Sequence, residues 1–189
     1  MKRFFDFVLS FVAIIVLIPV FLIISLLILI TDGRPVLFIQ DRVGKDNKLF
    51  KIRKFRSMKN GTRNVAKDDL HEYDSQVTPI GRFLRKTSLD ELPQLFNILE
   101  GTMSFVGPRP LIPEEDEIRQ MRLEADVYSV LPGVTGWAQV KGRDFVTNEE
   151  KTSYDKEYIE KKSLFFDFKI LLMTVAVVLT KKNLSKNSE

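Results

Sequence analysis

Two adjacent carboxylates, Asp90 and Glu91, stand in the run Thr87-Ser88-Leu89-Asp90-Glu91-Leu92-Pro93-Gln94-Leu95. Arg82, Arg85 and Lys86 precede them, and a second cationic segment, Gly107-Pro108-Arg109-Pro110, follows. Prolines on both sides of Arg109 restrict its backbone, and a guanidinium grips phosphate oxygens through a planar fork. Carboxylates near fixed cations suit a site where Mg2+ and a phosphorylated substrate meet. The same residues also have plainer roles. Ser88-x-x-Glu91 matches a capping box with Asp90 near a helix N-terminus, and Arg109 fits an extended surface turn. Pro93 counts against the cap, because proline is best placed at the first helical position. A helix starting near Pro93 puts both carboxylates just ahead of it, with Leu92, Leu95, Phe96 and Leu99 as its buried stripe.

Other candidates are scattered along the chain. Leu49-Phe50-Lys51-Ile52-Arg53-Lys54-Phe55-Arg56 alternates as a half-buried strand, with Phe50, Ile52 and Lys54 on one face. A lysine there either snorkels at an edge or meets a phosphate. Leu131 to Val140 holds two glycines, a proline and the only tryptophan, and Gly142-Arg143 closes it. Such a loop either lets backbone approach a ligand, with Arg143 as a further cation, or packs Trp137 in a tight turn. The chain has no cysteine and one histidine, His71, in a polar stretch. That removes disulfides and cysteine-ligated metals and leaves a Ser-His-Asp triad without a well-placed base. The net charge of +4 is mild and mixed, and no nucleic-acid module is visible.

The elements that position these residues begin with an apolar run. Phe7 to Ile30 holds 24 residues without a charge, about 36 Å as a straight helix against about 30 Å of hydrocarbon. Pro19 sits in its middle, where it interrupts the hydrogen-bond ladder. Lys2 and Arg3 precede the run, and Arg34, Arg42 and Lys45 follow it. The length fits a span. The positive charge at both ends fits a hairpin broken near Pro19 with both ends on the cytoplasmic side. Next come a turn at Asp32-Gly33-Arg34-Pro35, a short strand Val36 to Gln40, a turn at Gly44 to Lys48, and the Lys54 strand. Residues 59–75 read as an exposed loop. Thr78-Pro79 reads as a helix start, with Ile80, Phe83 and Leu84 on its apolar face. Met103 to Val106 is a short apolar segment. Residues 113–124 and 149–162 read as helices with charged outer faces. Leu164 to Leu179 is too short and charged for a convincing span. Asp167, Thr174 and Lys181 share a narrow stripe there, which suits an interfacial helix or one packed on the N-terminal segment.

Taken in order, these segments resemble the bacterial sugar transferases, the monotopic phosphoglycosyl transferases. The resemblance rests on Lys2-Arg3-Phe4-Phe5-Asp6, Gln40-Asp41-Arg42-Val43-Gly44, Lys54-Phe55-Arg56-Ser57-Met58 and Ser88 to Gln94. Met103 to Pro110, Pro132 to Val140 and Asp167 to Leu171 complete it. It covers nearly the whole chain, and the short length is similar to that of minimal members without extra spans. It departs from the family where Ile18, Thr102 and Leu131 stand in place of a frequent serine, aspartate and arginine.

The resemblance implies transfer of a sugar 1-phosphate from a UDP-sugar to polyprenol (undecaprenyl) phosphate, through a covalent phosphosugar, with release of UMP. This would be a first membrane step of bacterial glycan synthesis. It implies Asp90 as nucleophile, Glu91 as a Mg2+ ligand, Arg109 as phosphate clamp, Lys54 and Asp167 lining the same site, and Arg143 as a nucleotide or phosphate contact. A non-catalytic membrane-surface module, with Asp90 only a helix cap, is the alternative. The expected fold is α+β and mostly helical. It comprises a re-entrant membrane helix (1–33, broken near Pro19), a cytoplasmic catalytic domain (34–182) with an interfacial helix (164–180), and a polar tail (183–189). The expected place is the cytoplasmic face of the bacterial inner membrane.

Overall fold

The computed structural model describes residues 1–62, 73–142 and 146–184. The fold is α+β and mostly helical, and it opens with one long apolar helix, α1 (Lys2–Asp32). Helical geometry continues through Pro19, so the expected break there is not an end of the helix. This is the one helix among the described residues long and apolar enough to cross a membrane. Its 31 residues extend about 46 Å.

α1 lies against the rest of the molecule along its length. Asp6, Ser10, Ile24 and Ile28 are buried, and Ala13, Ile14, Leu17, Val20 and Phe21 pack on the core between them. The steps of three and four residues trace one face of a helix. The opposite face is bare: Phe4, Leu9, Phe11, Val16, Leu22, Leu26 and Ile30 are among its exposed apolar residues.

Strands β1 (Leu37–Val43) and β2 (Leu49–Phe55) form an antiparallel hairpin. The turn contains a 3-10 segment, Lys45–Asn47. Inward positions alternate as the pleat requires. Phe38, Gln40 and Arg42 pair across the strands with Lys54, Ile52 and Phe50. After α2 (Tyr73–Gln76), α3 (Pro79–Thr87) starts as the sequence predicts: Pro79 opens it, and the Thr78 hydroxyl accepts a bond from the Gly81 N–H at 3.0 Å. Of the expected loop at 59–75, residues 63–72 lie outside the described residues.

A 3-10 turn (Leu89–Glu91) and α4 (Gln94–Glu100) follow. The buried face of α4 is Gln94, Leu95, Asn97 and Ile98. This corrects the expected stripe: Phe96 is 37% exposed although it packs edge-on against Phe21 of α1, 5.5 Å between centroids, and Leu92 and Leu99 are only half-buried. The helix is rotated because Asn97 faces β2. Its side chain accepts from the Arg53 N–H and donates to the Lys51 carbonyl, replacing a neighbouring strand.

Strand β3 (Ser104–Val106) pairs in parallel with β4 (Gly133–Thr135). Between them lies α5 (Asp116–Glu124). A Cβ on Gly133 would sit 2.1 Å from the Gly107 nitrogen, and one on Gly136 2.2 Å from the Gly107 oxygen. The glycines of this loop therefore serve backbone-to-backbone packing beside the Pro-Arg-Pro segment. Helix α6 (Trp137–Gly142) places Trp137 against Phe166. Helix α7 (Asn148–Lys161) begins with a complete capping box, Thr147 with Glu150. Helix α8 (Leu164–Leu184) turns Asp167, Ile170 and Thr174 inward and leaves Phe165, Phe168, Leu172 and Val175 exposed.

Candidate active site

Asp90 and Glu91 occupy the 3-10 turn between α3 and α4. The capping-box reading fails here. Ser88 has left-handed backbone (φ 58°) and its side chain makes no cap bond. It ends α3, with its N–H donating to the Arg85 and Leu84 carbonyls. Asp90 is buried, whereas Glu91 is half-buried and faces the hairpin. Lys54 reaches across from β2 to pair with Glu91 at 2.7 Å. The inward lysine of the strand is thus aimed at a carboxylate and not snorkelling.

The two carboxylates are pushed in opposite directions. Burial, and then the neighbouring Glu91 charge, raise the Asp90 pKa above the ordinary aspartate value, against Lys54 and Arg85. Burial also works to raise Glu91. The fields of Lys54, Arg109 and Arg42, with the Lys54 hydrogen bond, outweigh it and hold Glu91 below its usual range. Divergent pKa values in one acidic pair mark divided roles. A desolvated carboxylate is the stronger nucleophile, and a firmly ionised one is the better ligand for a cation.

Arg109 is exposed between two buried prolines. Its carbonyl accepts a 2.7 Å bond from Arg122. Arg122 in turn pairs with Asp155 of α7 at 2.6 Å, both side chains almost fully buried. Arg109, Lys54, Glu91, Arg42 and Gln94 line one shallow depression over Pro110 and Gly133. The hairpin, the acidic turn and the Pro-Arg-Pro segment therefore converge, although they are far apart in sequence.

Not every candidate is brought there. The lining includes neither Asp90, which adjoins Glu91, nor Asp167. Asp167 is buried, accepts a 2.8 Å bond from the Tyr158 hydroxyl and pairs with Lys2 at 2.5 Å. Burial and the Asp167 charge push the Tyr158 phenol up, which keeps it a donor. Asp167 thus fastens the start of α1 to α7 and α8. Arg143 and His71 lie outside the described residues. Sequence reasoning missed Arg42 as a site residue, along with the Arg122–Asp155 pair. Strand parity was the available signal for Arg42, since it shares the inward face of the hairpin with Lys54.

No group of three or more acidic or histidine side chains that could hold a metal is present among the described residues. The acidic pair still fits Mg2+, which commonly takes one or two carboxylates and completes its shell with water and substrate phosphate. The mutual repulsion that raises Asp90 is what a dication would relieve.

The chain belongs to the bacterial sugar transferase family, whose model matches residues 1–181. It is 40% identical over 182 residues to the UDP-glucose:undecaprenyl-phosphate glucose-1-phosphate transferase of Escherichia coli (strain K12), covering 93% of this chain and 39% of that protein. It is 40% identical over 196 residues to the undecaprenyl-phosphate galactose phosphotransferase of Salmonella typhimurium (strain LT2), covering 95% and 40%. A Bacillus subtilis (strain 168) protein named uncharacterized sugar transferase EpsL is 40% identical over 156 residues, covering 82% and 76%. The chain spans about two fifths of the length of the first two relatives.

Proposed function

We propose that this chain is a polyprenyl-phosphate sugar-1-phosphate transferase. It takes a sugar 1-phosphate from a UDP-sugar and gives it to polyprenol (undecaprenyl) phosphate. The carrying observation is the convergence of Glu91, paired with Lys54, and Arg109 at one surface depression, with buried Asp90 next to Glu91 in the same turn. The relatives' names supply the reaction class.

In the first step an Asp90 carboxylate oxygen attacks the sugar-bearing phosphorus. The bridging P–O bond breaks, and its electron pair leaves with UMP. In the second step a phosphate oxygen of the lipid attacks the same phosphorus. The acyl phosphate bond breaks, and the Asp90 carboxylate is restored. The products are UMP and polyprenol diphosphosugar. A carboxylate approaching a diphosphate meets negative charge, and Lys54 and Arg109 lower that barrier by fixed positive charge. Glu91, kept ionised by Lys54, would hold Mg2+, which when bound supplies charge neutralisation at the diphosphate. Arg143 is a further candidate contact for the nucleotide.

We place the site at a membrane surface. Support comes from the bare face of α1 and the exposed stripe Phe165, Phe168, Leu172 and Val175 of α8. Both ends of α1 are tied to the same body. Arg3 donates to the Ile98 and Leu99 carbonyls and Lys2 pairs with Asp167. At the other end, buried Arg56 donates to the Asp32 and Gly33 carbonyls at 2.6 and 2.8 Å. This supports a re-entrant α1 with both ends on the cytoplasmic side of the inner membrane, and a catalytic body facing the cytoplasm.

The test is UMP release from a panel of UDP-sugars with Mg2+, with and without polyprenol phosphate. Turnover that requires the lipid supports the transferase. Release of free sugar phosphate without lipid identifies a hydrolase instead, and no release from any donor across the panel contradicts the reading.

A further inference from the structure

The depression in front of Glu91 holds more positive charge than its carboxylate balances. Arg42, Lys54 and Arg109 line it together with the single acid Glu91. Lys54 is matched to Glu91 at 2.7 Å. Among the described residues the guanidinium of Arg42 bonds only neutral oxygens: Nε and Nη2 donate to Oε1 of Gln40 at 3.1 and 2.6 Å, and Nη1 to the Pro110 carbonyl at 3.2 Å. The Arg109 guanidinium makes no hydrogen bond or ion pair among the described residues. Glu115, the acid whose charge acts most strongly on Arg42, accepts the Ile112 N–H at 2.9 Å.

The fold nonetheless holds these two like charges side by side. Gln40 and Arg42 share a strand face, so the amide orients the guanidinium from two positions away. The Arg109 backbone is fixed by its flanking prolines and by Arg122, itself locked to Asp155. Burial, and then Arg109, push the Arg42 pKa down to about 10, the signature of a desolvated cation facing another cation. An anion of two or more charges bridging both guanidinium groups turns this repulsion into attraction. Phosphate and diphosphate esters match the forked donor geometry.

We propose that Arg42 and Arg109 together form a subsite for a phosphate or diphosphate ester, with Arg42 a binding residue of the candidate active site. The inference rests on the phosphotransferase reading. The chemistry is shared by the diphosphate of a nucleotide-sugar and the phosphate of a lipid acceptor. Lys54 of β2, paired with Glu91, then flanks the same anion.

Inorganic pyrophosphate is the direct probe. It is titrated calorimetrically, without added metal, into the full chain in lipid nanodiscs as wild type, Arg42→Gln and Arg42→Lys. Wild type is expected to bind, and Arg42→Gln to bind about 10- to 100-fold more weakly, the worth of one charge-assisted bond. Arg42→Lys keeps the charge without the fork and is expected to fall between them. Equal affinity in Arg42→Gln, or no binding by wild type, overturns the subsite. Circular dichroism on each sample reports folding. If Arg42→Gln is unfolded, Arg42→Lys decides, and unchanged affinity in it overturns the proposal.

Two further titrations separate the sources. One uses a UDP-sugar and the other a short-chain polyprenyl phosphate, and the ligand whose affinity falls in the variant is the one Arg42 holds. If wild type binds pyrophosphate through Arg42 yet turns over no donor, the transferase reading fails and the subsite stands. If turnover is found and pyrophosphate affinity ignores Arg42, the subsite fails alone.

Discussion

Asp90 and Glu91 are neighbours in sequence and opposites in environment, and their opposite behaviour can be measured. Asp90 has a folded pKa above its ordinary value. Its protonated form therefore favours the fold. That contribution is complete below the ordinary aspartate pKa and is lost as pH rises through the raised value. At neutral pH the ionised carboxylate weighs against folding. Asp90→Asn is expected to melt at or above the wild-type temperature while transfer falls by about 10³-fold or more, as when a nucleophile is removed. Melting followed by circular dichroism and UMP release on the same samples check this, and a clearly lowered midpoint would make Asp90 a structural group. Glu91 has the reverse sign. Its depressed pKa contributes stability above the ordinary glutamate value, and that stability is lost as pH falls through the folded value. Glu91→Gln, which leaves Lys54 half-buried without its partner, is expected to lower the midpoint at pH 7. If it does not, the Lys54–Glu91 pair is not the local anchor described here.

The elements converge on the site through polar contacts that sequence patterns do not display. Asn97 is 1% exposed and binds the Arg53 N–H and Lys51 carbonyl of β2, which sets Lys54 opposite Glu91. Asn97→Ala strands two backbone groups. At about 1–3 kcal/mol for each buried group left without a partner, a loss of about 2–6 kcal/mol is expected in urea unfolding. An effect below about 1 kcal/mol would mean that α4 docks by its apolar contacts alone. Breaking the Arg122–Asp155 pair with Asp155→Asn is expected to cost about 3–5 kcal/mol, because it leaves a buried arginine uncompensated. The element types were legible beforehand. Pro79 after Thr78, the alternation at 49–56 and the turn at 44–48 each carry a local signal, and each formed as read. The rotation of α4 was not legible, because hydrophobic periodicity alone assigns Phe96 inward and cannot see Asn97 replacing a strand. Asp90, Glu91, Lys54 and Arg109 stood out by type and spacing. Arg42 and Arg122 act through strand register and a long-range pair, and neither is visible until the hairpin and α5 are placed. Asp167 drew notice as a site acid, but the inward stripe of α8 carries it to Lys2 and Tyr158.

In the molecule as a whole, α1 is long and apolar enough to cross a membrane and is also part of the core. Ile24 and Ile28 complete one apolar cluster with Phe55 and Leu84, and Leu17 and Phe21 cover another around Ile52, Leu95, Ile98 and Met103.

 Removing α1 would therefore open the core and not merely detach an anchor. The anchors at both of its ends, Lys2 with Asp167 and Arg56 with the Asp32 and Gly33 carbonyls, give a topological expectation. The chain has no native cysteine, so single cysteines report without background. A cysteine in a short N-terminal tag and one at exposed Lys48 are both expected to resist a membrane-impermeant maleimide in intact cells and to react after lysis. Labelling of the tag alone in intact cells would show α1 to cross the bilayer.

The proposed covalent role of Asp90, carrying the sugar phosphate between donor and acceptor, is read by intact-protein mass spectrometry. The chain is incubated with Mg2+ and its UDP-sugar without lipid, quenched and weighed. Wild type is expected to gain the mass of one sugar phosphate less one water, Asp90→Asn to gain nothing, and the adduct to disappear when polyprenol phosphate is added. An adduct that persists in Asp90→Asn, or lipid-dependent turnover in that variant at the wild-type rate, would contradict it.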